Sequence, residues 1–189
     1  MKYILYLFFS FVLLNLYGQV PVGPAPNQTI SSLGLKNIFL VAQLEIPEDK
    51  FTAEINIAEL LTNAGIITVP SLNIVKHGGS LSLLASDSII TLLKEKEIDT
   101  YMLVSVRGYD RTFRNNTRNF LTLQAELESS HLFPLYRNDI VSVTLEFLFY
   151  RDGIVVHNEL LKLNNVSNKE GVMKKLAKKL PKLINKWKK

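Results

Sequence analysis

The order of its apolar runs constrains this chain more than any other feature. Between residues 37 and 109 a strand pattern, a helix, a short strand, a second helix and a third strand succeed one another. Residues 37–45 (NIFLVAQLE) are mostly apolar, with the β-branched and aromatic side chains that suit a central strand. Pro47, Glu48 and Asp49 then place a proline and two acids where a helix dipole favours negative charge. The helix spans residues 48–64; Phe51, Ala58, Leu61 and Ala64 fall near one face, with Ile55 and Leu60 beside them. That face is expected to meet the sheet, and Gly65 stops the helix. Residues 66–69 read as a short strand ended by Pro70. After a loop at His77-Gly78-Gly79-Ser80, Ser86 can cap a helix over 87–97 whose Ile89, Ile90, Leu92 and Leu93 face inward. Residues 99–109 (DTYMLVSVRGY) are the third strand. Strands separated by helices in this way pair in parallel through right-handed crossovers.

The second half changes character. After a polar stretch and a short helix at 121–129, residues 140–150 alternate, with Val141, Val143, Leu145, Phe147 and Phe149 on one face. Ser142, Thr144 and Glu146 lie on the other. Asp152-Gly153 is the turn dipeptide of a tight hairpin, and residues 154–163 return. Ser167 and Glu170 form a capping box for a last helix, which Pro181 is expected to kink. The expected fold class is therefore α/β with α+β character. It is a five-stranded mixed sheet, β-α-β-α-β followed by an antiparallel hairpin and a carboxy-terminal helix. No internal repeat or second boundary interrupts residues 35–189, which read as a single domain.

Two segments precede that domain. Residues 1–18 have the parts of an export signal: Lys2, the apolar run YILYLFFSFVLL at 3–14, and a short polar stretch before Gln19. A membrane anchor needs about 20 apolar residues, and this run is interrupted by Ser10 and ended by Asn15. An uncleaved anchor and a buried core helix are the alternatives. Residues 19–34 hold Pro21, Pro24 and Pro26 and read as an extended linker. The chain has no cysteine, which excludes a disulfide and the thioether lipid of a bacterial lipoprotein. The expectation is an exported, soluble protein, periplasmic or secreted, with no transmembrane segment once the signal is removed.

Charge is concentrated at one end. Nine lysines and one glutamate fall in residues 169–189, a local net charge of +8, while residues 19–168 carry −4. A uniformly basic nucleic-acid binder would look different, and no nucleic-acid partner is expected. In the last helix Val172, Leu176, Leu180, Leu183 and Trp187 make an apolar stripe, with Met173 and Ile184 adjoining. Lys174, Lys175, Lys178, Lys179 and Lys182 cover the rest. Such a helix either packs on the sheet with a solvated lysine face or lies on anionic lipid with Trp187 at the headgroup level. An acidic partner is the third possibility. Arg107, Arg111, Arg114 and Arg118 follow the third strand among asparagines, on what reads as an exposed loop. Arginine suits carboxylate or phosphate binding, and loops carry function disproportionately; a merely solvated polar loop is the plainer reading.

Catalysis finds little in this sequence. His77, His131 and His157 are scattered, without the spacing of a metal site. No Gly-x-Ser-x-Gly elbow and no phosphate-binding glycine loop is present. No cofactor, metal or catalytic residue is expected.

Certain strings do resemble a known group. The strand NIFLVAQLE, the helix ending LLTNAGI, Val69-Pro70-Ser71 and the stretch LLKEKEIDTYMLV at 92–104 are similar to a group of bacterial exported α/β domains. That group includes the amino-terminal domain of TolB and the LpoB-like and CsgG-like envelope proteins. The hairpin and last helix resemble its closing part, and the leader is similar to those of exported Bacteroidetes proteins. The resemblance implies a non-catalytic interaction module of the cell envelope, with an unknown envelope protein or an anionic surface as partner. The alternatives are a peripheral protein held on anionic lipid or lipopolysaccharide by the lysine-rich helix, and a hydrolase. The chain departs from the lipoprotein members in having no cysteine to carry lipid.

Overall fold

A computed structural model describes residues 33–75, 79–114 and 119–188. The expected signal at 1–18, most of the linker, His77 and Arg118 lie outside the described residues. Along the chain come β1 (Asn37–Gln43), α1 (Pro47–Asn63), β2 (Ile67–Pro70), two 3-10 turns (Ser71–Asn73 and Leu81–Ala85) and α2 (Asp87–Glu95). There follow β3 (Thr100–Tyr109), α3 (Leu123–Leu127), β4 (Ser142–Arg151), β5 (Ile154–Asn164) and α4 (Lys169–Lys188).

The strands form one five-stranded mixed sheet in the order β2-β1-β3-β4-β5, the expected fold class. β1 pairs in parallel with β2 and β3, and β4 lies antiparallel to both β3 and β5. The step from β1 to β2 and the step from β2 to β3 run in opposite directions across the sheet. A constant right-handed crossover therefore puts α1 and α2 on opposite faces. Alternate residues of each strand serve the two cores. Ile38, Leu40, Met102, Val104, Phe147 and Phe149 meet α1 and α4, whereas Phe39, Val41, Tyr101, Leu103, Leu148 and Tyr150 meet the side of α2 and α3. The hairpin closes as expected: Asp152 and Gly153 have φ of 48° and 76°, the paired left-handed conformations of a type I′ turn.

Several local expectations are corrected. Phe51 and Ile55 are 53% and 44% exposed, and the buried face of α1 is Asp49, Ala53, Glu54, Ile57 and Leu61. Leu92 also turns outward. The polar side of β4 is not a solvent face, because Ser142, Thr144 and Glu146 are all buried; Val141 precedes the strand and is exposed. The Ser167/Glu170 box is absent. Asn168 caps α4 instead, its Oδ1 accepting the Gly171 amide at 2.7 Å. Ser86 precedes α2 but its hydroxyl donates back to the Leu83 carbonyl at 2.7 Å. α4 continues through Pro181. Leu33, assigned to the linker, is packed in the core.

The two acids on the buried face of α1 are clasps. Asp49 accepts the Leu135 amide at 3.1 Å and an ion pair from Lys169 at 2.6 Å, joining the start of α1 to that of α4. Glu54 is fully buried. Its Oε1 takes the Ala42 amide (2.8 Å) and the Ser71 hydroxyl (2.6 Å), and its Oε2 takes the Leu72 amide (3.1 Å). β2 pairs with β1 only as far as Leu40 and Pro70, so the carboxylate continues the ladder where the strand ends.

Burial pushes the Glu54 carboxyl above its ordinary 4.5, outweighing the hydrogen bonds and the Lys50 ammonium that favour ionisation. The native state thus holds this proton more tightly than the unfolded chain. The resulting stabilisation is complete below pH 4.5 and is lost as pH rises through the raised native value. In urea unfolding, the stability of the wild type minus that of Glu54→Gln should therefore fall from pH 4.5 towards neutrality. Glu54→Ala, which strands three donors, should cost about 3 kcal/mol or more at any pH.

Candidate functional site

Because β1 leads to a helix on one face and β3 leads to a helix on the other, the loops at their carboxyl ends part company. Open α/β sheets bind ligands in the crevice at such a switch point. Here a crevice of about 740 Å³ opens there. Its floor includes Gln43 at the end of β1, Ser105 and Val106 of β3, and Glu146, which pairs with Ser105 across β3 and β4. Glu126 of α3 closes one side, and Phe113, His131 and Phe133 stand towards the rim. The Gln43 side-chain amide donates to the Glu126 carbonyl at 2.8 Å, so α3 is tied to the end of β1.

A backbone irregularity shapes the arginine side of this crevice. The β3–β4 register slips between Val106 and Gly108, and Gly108 has a φ of 154°. A Cβ there would lie 2.6 Å from the Phe113 ring, so only glycine lets the ring sit against the bulge. The Arg107 guanidinium is held 5.7 Å from the centre of the same ring. Arg107 is thus half-buried in the crevice wall, while Arg111 and Arg114, on the segment after β3, are exposed and outside the lining. Asp110, at the turn after β3, accepts the amides of Val141 (2.9 Å) and Ser142 (2.7 Å) and locks the strand ends together. His131 and the carboxylates share the lining, but the His131 ring is hydrogen-bonded only to neighbouring Ser130, at 3.4 Å. Among the described residues no hydrogen bond joins this ring to Glu126 or Glu146. The buried Glu126 and Glu146 were missed from sequence because an acid in a strand or short helix reads as solvent-facing. The one available signal was Glu146 inside the otherwise apolar run LEFLFY.

The lysine helix divides into two populations. Lys175 donates to the carbonyl of Asn164 and Lys179 to that of Lys162 at 2.8 Å, so both cover the free edge of β5. Lys186 pairs with Glu159 at 2.9 Å on the same strand. Lys188 donates to the Ala64 carbonyl at the end of α1. Lys174, Lys178 and Lys182 point to solvent. Trp187 does not belong to this surface. It is 1% exposed and packs on Phe149 and Phe147, with ring centres 5.0 and 5.4 Å away. Among the described residues no helix is long and apolar enough to cross a membrane.

No family model and no curated protein matches the chain. Similar solved structures exist. A PelC dodecamer from Paraburkholderia phytofirmans is 14% identical, with a TM-score of 0.42, over 85% of this chain and 93% of that one. The lipoprotein GNA1162 from Neisseria meningitidis is 11% identical, with a TM-score of 0.44, over 79% of this chain and 99% of that one. Both are bacterial, and one is a lipoprotein. Likeness at this level assigns no residue a role.

An edge strand with bare carbonyls is a template for pairing with another chain. Replacing Lys175 and Lys179 together by alanine should therefore promote association through β5, seen as a concentration-dependent rise in mass by light scattering. The loss of stability should be small, about 1 kcal/mol per hydrogen bond. A strictly unchanged mass would mean that the bulk of α4 alone protects the edge.

Proposed function

We propose that this chain is an exported, non-catalytic interaction module of the bacterial cell envelope that grips a protein partner in the crevice at the carboxyl ends of β1 and β3. The observation that carries the reading is the placement of the Arg107 wall at the switch point of the sheet. Arg107 stacked on Phe113, with Arg111 and Arg114 exposed on the same segment of chain, suits an acidic segment with an apolar or aromatic residue next to the acid. Phe113 and Phe133 supply the apolar contact. Arg107 is carried by β3 and held against the Phe113 ring, so this part of the wall is in place before the partner arrives, which reduces the ordering cost of binding.

A hydrolase is the competing reading, favoured by the presence of His131, Ser105 and Ser129 in one crevice with two carboxylates. Among the described residues the His131 ring bonds only Ser130, so no hydroxyl–imidazole–carboxylate chain supports this reading there. A serine-directed phosphonate probe that labelled the mature chain would favour it over the binding reading.

A photo-crosslinking residue placed at Arg111 should capture one partner in the envelope fraction, and the same residue at Thr62 on the far side of α1 should not. Adding Arg107→Ala should reduce the capture at Arg111 about tenfold, the loss of one charge-assisted contact. Equal capture at both positions, or capture indifferent to Arg107, would overturn the crevice as the binding site.

A further inference from the structure

We propose that the outward face of the α1–α4 layer docks on an anionic phospholipid bilayer, independently of the crevice. The two helices run parallel on one side of the sheet. They are pinned at both ends, by Lys169 on Asp49 and by Lys188 on the Ala64 carbonyl. Opposite the buried row Val172, Leu176, Leu180 and Ile184 of α4 stand Lys174, Lys178 and Lys182, one helical turn apart and exposed. None of the three has a hydrogen bond or ion pair among the described residues. Opposite the buried Ala53, Ile57 and Leu61 of α1 stand Phe51 and Ile55, the two large apolar side chains that the helix leaves bare. Both rows point away from the sheet.

A line of ammonium groups beside bare apolar side chains is what an interfacial element presents: the cations meet lipid phosphates and the apolar groups enter the headgroup boundary. The surrounding field has the same sign. Lys175 and Lys179 bond neutral carbonyls rather than carboxylates, and among the described residues of α4 carboxylates pair with Lys169 and Lys186 alone. The exposed Glu48 and Glu59 of α1 flank the apolar pair, so α4 leads the contact and α1 follows. Phe51 and Ile55 decide between a bilayer and an acidic protein, because a purely electrostatic partner leaves them without a use. Trp187 takes no part, being in the core.

The test uses the mature chain from Gln19 and cosedimentation with phosphatidylcholine vesicles, with and without phosphatidylglycerol. Binding should require phosphatidylglycerol and weaken as salt is added. Each surface lysine contributes about a fivefold factor, so Lys174→Gln, Lys178→Gln and Lys182→Gln together should weaken partitioning about a hundredfold. Phe51→Ser with Ile55→Ser should weaken it further and leave its salt dependence unchanged. These positions are exposed, and circular dichroism checks that each variant folds. Arg107→Ala, which disables the crevice, should bind vesicles as the wild type does, so failure of one proposal is distinguishable from failure of the other. The proposal is overturned if phosphatidylglycerol vesicles are not bound at low salt, or if the triple lysine variant binds them undiminished. It is equally overturned if polyglutamate is bound through these lysines while vesicles are not.

Discussion

Beyond Pro70 the β2 strand stops, and the amide of Ala42 would face an empty ladder position if the Glu54 carboxylate did not fill it. Much of the architecture depends on that substitution of a side chain for a strand. The same carboxylate receives Ser71 and Leu72, so it fixes where the chain goes after β2. It therefore sets the start of the crossover to α2 and the far side of the sheet. A short β2 also leaves the end of β1 open, and Gln43 uses this freedom to reach α3. Placing a carboxylate in the core opposes its ionisation, and three donors are what make the site tolerable.

At the opposite edge of the sheet the problem is solved by lysine. β5 is long and would be a pairing hazard, and α4 lies along it with ammonium groups on its outward carbonyls. The two edges are thus protected by different means: one by being short, the other by being covered. This division explains how a single helix can be apolar on one side, bonded to a strand on a second and cationic on a third. The hydrophobic stripe accounts for the packing of α4, but not for the roles of its individual lysines.

The sheet was legible because short apolar runs rich in β-branched and aromatic residues, one of them alternating, and the Asp152-Gly153 turn report backbone geometry. The order of elements then implied parallel pairing. The face of α1 was misread for a physical reason: Asp49 and Glu54 are buried, so Phe51 and Ile55 appeared to define the apolar side when they lie opposite it. Hydrophobic periodicity assumes that charge seeks water, and that assumption fails where a carboxylate has three backbone or hydroxyl donors. The crevice was half legible. The arginines on the segment after β3 were visible in sequence, but their stacking on Phe113 depends on a bulge at Gly108, and Glu126 and Glu146 reach the lining only through tertiary pairing. For α4, sequence identified the stripe and left the destination of Trp187 open between core and interface; packing against Phe147 and Phe149 places it in the core.

The type I′ turn at Asp152 and Gly153 has a consequence for the order of assembly. It closes β4 onto β5 with a two-residue loop, and α4 follows directly, so this last quarter of the chain can gather its contacts at little entropic cost. β1, although earlier in the chain, reaches its partners only through longer closures, about thirty residues to β2 (Asn37 with Ile67) and about sixty to β3 (Ile38 with Thr100). The hairpin is then the natural nucleus, and β1 joins it later, through β3. The two carboxylate clasps of α1 would tighten last, once every element they connect is already in place.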